Sequence, residues 1–133
     1  MTRLRTAILV LAIAGAGIAA YLTYVHYADV APICTTGGCD KVQRSSYAEI
    51  ASVPVALLGL FAYCAIAATA LRGGLVAATA GAVLAFAGAA FSGYLLWAQL
   101  GPIGAICQWC LANDVVIALV ALLSVVRLAT EPD

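Results

Sequence analysis

Apolar positions dominate this chain and gather into four long runs with short polar breaks. The first runs from Thr6 to about Tyr27. At about 22 residues it is long enough to cross a bilayer, which takes about 20 helical residues. Further runs cover 53–71, 75–98 and 106–128. The pattern predicts an all-α integral membrane protein, a bundle of four transmembrane helices at about 6–27, 53–71, 75–98 and 106–128. One long outer loop, 28–52, joins the first two. Residues 1–133 are read as a single membrane domain, with no room for a separate soluble one.

Local signals refine these bounds. Ser52-Val53-Pro54 pairs a serine cap with a proline in the first helical turn, a start signal for the second span. Arg72-Gly73-Gly74 ends it in a tight turn, and Gly101-Pro102 marks the turn before the fourth. The third span carries Gly81, Ala85, Gly88 and Ser92 at spacings of three or four, with Ala89 and Gly93 beside them. Such a stripe lets helices approach closely in lipid. Within the loop, Gly37-Gly38 predicts a flexible turn, and a short amphipathic helix is expected from about Asp40 to Ile50. Val42, Tyr47 and Ile50 would dip into the interface, and Tyr24 and Tyr27 sit where an aromatic belt belongs.

The first run also mimics a secretion signal, with a basic start (Met1 to Arg5) and small residues from Ala16 to Ala20. It continues past Ala20 through Tyr21, Leu22, Tyr24 and Val25, beyond the roughly 7–15 residues of a signal core. An uncleaved first span is expected.

Composition supports a membrane setting: 65% of residues are hydrophobic and 9% charged, against about 25% charged in soluble domains. Net charge is zero, so there is no basic footprint for nucleic acid. Arg3, Arg5, Arg72 and Arg127 flank one side of the spans, and Lys41 and Arg44 the other. By the positive-inside rule the four-arginine side, with both termini, is cytoplasmic. The loop 28–52 and the turn 99–105 then face outwards.

That orientation gives the cysteines a compartment. Four of the five form close pairs, Cys34/Cys39 and Cys107/Cys110, and both pairs fall on the outer, oxidising face. Cys107-Gln108-Trp109-Cys110 opens the fourth span. Free N–H groups and the positive dipole end there favour a thiolate, so Cys107 should have a lowered pKa. Cys34 and Cys39 close a ring of about six residues, worth roughly 2 kcal/mol on a chain-entropy estimate. A structural bridge and an exchangeable pair both fit that spacing, and the second suits a flexible loop better. A zinc site on the four cysteines is disfavoured by their depth and by the oxidising side. His26 is read as an interfacial residue, and Cys64 as a small buried apolar one. Asp114 follows Cys110 by four residues and Cys107 by seven, on one helical face. A carboxylate at mid-bilayer costs about 2.5–3.5 kcal/mol. It is therefore either a working group near a bound molecule, with Asn113 beside it, or a polar partner for another helix.

These residues, in this order, resemble the vitamin K epoxide reductase family in its bacterial branch. The resemblance rests on Cys34, Gly38-Cys39-Asp40-Lys41-Val42, Ser45-Ser46-Tyr47-Ala48, Val53-Pro54 through Gly59, and Cys107-Gln108-Trp109-Cys110, and it covers roughly residues 7–128. It implies four helices around a quinone, menaquinone or ubiquinone, as electron acceptor. Cys107 and Cys110 would be the quinone-reducing pair, with Cys110 facing the ring. Cys34 and Cys39 would be the loop shuttle pair, and Ser45 would lie near the active site. Ser45, Asn113 and Asp114 are the expected quinone contacts. The animal enzymes carry tyrosine where this chain has Asp114, which favours plain quinone reduction over vitamin K epoxide. Some bacterial relatives carry a fused thioredoxin-like domain, and this chain ends at Asp133, so a separate thioredoxin-like extracytoplasmic protein is the expected electron donor. The implied enzyme is a quinone-dependent disulfide oxidoreductase of a bacterial or archaeal cytoplasmic membrane that supports disulfide bond formation. Other readings are a quinone or vitamin K epoxide reductase with another dithiol donor, a redox or metal sensor, and a scaffold with structural disulfides.

Overall fold

The computed structural model describes residues 2–35 and 37–131. Met1 of the basic start and residues 132–133 of the polar tail lie outside the described residues. Helix α1 (Arg3–Ala28) begins at Thr2, whose hydroxyl accepts the Arg5 N–H at 3.2 Å. It ends at Asp29 in the left-handed region (φ 55°), with the Asp29 N–H turned back to the His26 and Val25 carbonyls. A one-turn helix α2 (Cys39–Gln43) and a 3₁₀ turn (Ser46–Ala48) follow. A two-stranded hairpin then pairs β1 (Glu49–Ile50) with β2 (Val53–Pro54), Glu49 opposite Pro54 and Ile50 opposite Val53. Helices α3 (Val55–Leu71), α4 (Leu75–Ala98) and α5 (Gln108–Thr130) complete the chain. A π-helical turn, Gln99–Ile103, extends α4.

Three stretches, Arg3–Ala28, Leu75–Ile103 and Gln108–Thr130, are long and apolar enough to span a bilayer. Helix α3 is apolar but has 17 residues, about 25 Å at the helical rise. Large apolar side chains face outwards along the helices, Ile13 from α1, Phe61 from α3, Val76 and Val83 from α4 and Leu122 from α5 among them. In water this surface would drive aggregation, whereas lipid is its natural solvent.

The expected helix over 40–50 is not there. It stops at Gln43, because the chain turns through Arg44 and Ser45 and then commits to the hairpin. Ser52 does not cap α3 either. Ala51 and Ser52 form the hairpin turn with positive φ (52° and 68°), and Pro54 occupies the cap position.

Helix α1 packs on α3 and α5, and α4 on α3 and α5. The central core joins Ile8, Ala12 and Ala19 to Tyr63 and Ile66, Ala85, and Ile117 and Val120. Small residues set these approaches. A Cβ on Gly15 would run into the Tyr63 ring, and one on Gly81 would fall 2.7 Å from Thr69 Oγ1.

At the end away from the loop, Arg127 is 2% exposed. Its guanidinium donates to the Thr69 carbonyl (2.9 Å), the Arg72 carbonyl (2.6 Å) and Glu131 (3.3 Å). Arg5 donates to the Ala70 carbonyl at 2.9 Å. Arginine thus satisfies the carbonyls that end α3, groups the helix cannot pair itself. Arg127→Met should lower stability by about 2–3 kcal/mol, the worth of charge-assisted hydrogen bonds. Thermal unfolding in detergent would check it, and an unchanged midpoint would refute it.

Candidate active site

The loop that follows α1 folds back over the start of α5. Cys34 and Cys39 are joined in a disulfide, with Cα atoms 6.0 Å apart. Cys107 and Cys110 are both free thiols. The two pairs meet in one cluster, where Cys39, Val42, Ala98, Ile103 and Cys107 are buried and Cys34, Tyr47, Trp109 and Cys110 pack around them. Cys39 and Cys107 are both fully buried, while Cys34 is partly exposed.

Several contacts hold this arrangement. Gly38 lies so close to α5 that a Cβ there would sit 2.5 Å from the Ile106 carbonyl oxygen. The glycine pair predicted as a flexible turn therefore serves a close backbone approach. Arg44 bridges Asp40 and Asp29, each at 2.7 Å, tying α2 to the end of α1. Its exposed guanidinium is held above its ordinary pKa by Asp40 first and then Asp29.

Cys107 occupies the cap position before α5, and its carbonyl accepts the Leu111 N–H at 3.0 Å. The Cys107 N–H is taken by buried Gln99, whose Oε1 lies 2.8 Å away. From α2, the Gln43 amide nitrogen reaches both sulfurs, 3.6 Å to Cys107 and 3.3 Å to Cys110. A donor aimed at sulfur stabilises a thiolate over a thiol. The stabilisation expected from the helix start is thus joined by one from the loop.

Below this cluster lies a cavity of about 350 Å³, within the usual range for small-molecule sites. Its wall is mostly apolar, with Leu22, Val55, Leu58, Phe91 and Ile117 among the lining residues. Cys110, Ser45, Asn113 and Asp114 all line it. Cys107 is not among the lining residues and lies behind Cys110.

A chain of polar groups crosses one wall. The Tyr63 hydroxyl donates to Asn113 Oδ1 at 2.5 Å and the Asn113 amide donates to Ser92 Oγ at 3.4 Å, with Asp114 beside them on the cavity wall. The second carboxyl oxygen of Asp114 is buried with no protein partner. A buried polar atom left unpaired costs roughly 1–3 kcal/mol, so its place in a cavity wall suits a bound polar group. Ser45 Oγ donates to the Val42 carbonyl at 2.7 Å.

Other residues at the site were not expected there from the sequence: Ser92 was read as part of the packing stripe, His26 as an interfacial residue, and Gln43, Tyr63 and Gln99 were not singled out. Gln43, Tyr63, Ser92 and Gln99 line the cavity, as does His26, which pairs with Glu49 at 3.1 Å. Cys64, expected to be buried, is exposed on α3. Among the described residues, no cluster of three or more His, Cys, Asp or Glu is placed to hold a metal ion.

A disulfide resting on a dithiol, next to an apolar cavity, is an arrangement for moving electron pairs in lipid. No individual curated protein matches the chain. The model of the vitamin K epoxide reductase family matches residues 6–125, nearly the whole chain, and the protein, a membrane oxidoreductase, belongs to that family.

Proposed function

We propose that the protein is a quinone-dependent thiol oxidase that passes electrons inwards from a separate thioredoxin-like protein. The observation that supports this is the burial of Cys39 with Cys107 in one cluster, with Cys110 beside them on the cavity wall. Cys34, the partly exposed member of the loop pair, receives the external thiolate. Attack on its sulfur opens the Cys34–Cys39 bond, and the donor's second thiol completes the transfer. The loop dithiol then reduces a Cys107–Cys110 disulfide, with Cys39 attacking Cys107 and Cys34 closing back on Cys39. The donor dithiol has become a disulfide, and two electrons and two protons now reside on Cys107 and Cys110.

The quinone takes both pairs. A quinone head is a flat apolar ring with two carbonyl oxygens, and the cavity offers apolar walls with few polar groups. Cys110, on the cavity wall, would lie against the ring. Asp114, on the cavity wall beside Asn113, would face a ring oxygen and handle its proton, and Ser45 would lie nearby. The products are a quinol and the Cys107–Cys110 disulfide. Menaquinone and ubiquinone both meet these requirements.

All four apolar helices cross the membrane in this reading. Helix α3, at 17 residues, is completed by the hairpin that precedes it. Arg5, Arg72 and Arg127 meet at the end away from the cysteines, which supports cytoplasmic termini in a bacterial or archaeal inner membrane.

The test uses purified protein, a ubiquinone or menaquinone analogue and a thioredoxin-like dithiol protein. Quinol should form one-for-one with donor disulfide. Cys34→Ser should abolish this activity yet leave turnover with a small membrane-permeant dithiol, which reaches Cys107–Cys110 directly. Full activity of Cys34→Ser with the protein donor would overturn the relay.

A further inference from the structure

The two residues between the active-site cysteines point away from the cavity, and both grip the loop. Gln108 Oε1 accepts from the Thr35 N–H at 2.9 Å and from the Thr35 hydroxyl at 2.7 Å. The Trp109 indole N–H donates to the Ile33 carbonyl at 2.6 Å. The Trp109 ring packs on Tyr21, with centroids 4.9 Å apart, and the Tyr21 hydroxyl accepts the Ile33 N–H at 2.9 Å. Ile33 and Thr35 are the two neighbours of Cys34. Both peptide groups of Ile33 and that of Thr35 are therefore tied, directly or through Tyr21, to the dipeptide inside the thiol motif.

We propose that Gln108 and Trp109 are positioning residues for the internal exchange, seating the shuttle disulfide in register with Cys107. The inference rests on the relay described above. Exchange by thiolate attack needs three sulfurs nearly in line, so a loop free to wander would sample the productive geometry rarely. The four hydrogen bonds fix Cys34 from both sides, and the close contact of Gly38 with Ile106 fixes the chain just before Cys39. The motif thus carries its chemistry on the outer positions and its docking contacts on the inner ones. The step itself is unchanged: the loop dithiol loses two electrons and two protons, and the Cys107–Cys110 disulfide gains them.

The experiment isolates one bond of that step. In a Cys34→Ser, Cys110→Ser background, Cys39 and Cys107 remain as the loop and helix partners. Oxidised glutathione is added to the purified full-length protein, and Cys39–Cys107 disulfide is followed by peptide mapping without reductant. Adding Gln108→Leu should slow its formation about tenfold, as expected for the loss of two hydrogen bonds. Gln108→Glu, which keeps an acceptor for both Thr35 donors, should restore most of the rate. Thr35→Val, a change in the loop itself, should slow it too and add little on top of Gln108→Leu. Trp109→Phe keeps the packing on Tyr21 and should show the share of the indole N–H. If the background protein forms the bond and Gln108→Leu and Thr35→Val form it as fast, the positioning role is refuted and the relay stands. If the background protein forms no such bond, the relay itself fails.

Discussion

Cys110→Ser should abolish quinone reduction, at least about 10³-fold, with either a protein or a small dithiol donor. The hydroxyl cannot form a disulfide with Cys107, so no two-electron oxidation can end at this pair. The loop disulfide should survive the change, since Cys34 and Cys39 close on each other. Cys107→Ser should be equally inactive for the same reason, and in addition the attack from Cys39 then has no sulfur to receive it. The two variants separate when the donor and quinone half-reactions are followed one at a time. A Cys110→Ser rate equal to that of the unchanged protein would end the case for this thiol pair.

The second large effect is at Asp114, where activity and stability should move in opposite directions. Its buried carboxyl oxygen has no partner among the protein's own groups. Removing such a group relieves a cost of roughly 1–3 kcal/mol. Asp114→Leu should therefore unfold no earlier than the parent, and later if the surrounding side chains close on the new methyl groups. Proton handling at a reacting oxygen is worth typically 10²–10⁴-fold, and quinone reduction should fall by that order. Asp114→Asn keeps the shape but loses the exchangeable proton, so it should be nearly as slow. If activity and thermal midpoint instead fall together, Asp114 is a packing partner for the helices.

Much of the fold was legible because lipid imposes a coarse rule. A bilayer helix must be apolar for most of its length, so runs such as 75–98 read directly as helix, and α4 covers the same residues. The loop was harder. Its path depends on Ala51 and Ser52 taking left-handed backbone angles, which neither residue advertises. Gly101-Pro102 read as a turn, yet the helix continues through it as a π-helical turn, a form in which the ladder already has slack around the proline. At the site, cysteines and an acidic residue in an apolar run stand out by type. Gln43, Gln99 and Tyr63 do not. The partners of Gln43 and Tyr63 lie at least 50 residues away in sequence, so no local spacing marks them. Gln43 did carry one clue, since it stands four residues after Cys39, on the same helical face.

That last relation has a consequence of its own. Helix α2 is a single turn, and it holds at one end the cysteine that meets Cys107 and at the other the amide that reaches both inner sulfurs. The two arrive together and leave together. Were the loop to lift, Cys107 and Cys110 would lose the Gln43 donor in the same motion that removed Cys39. On the proposed relay, the inner pair is therefore more strongly activated while its reductant is seated. Such a coupling would guard a reactive sulfur in the membrane against stray chemistry between turnovers.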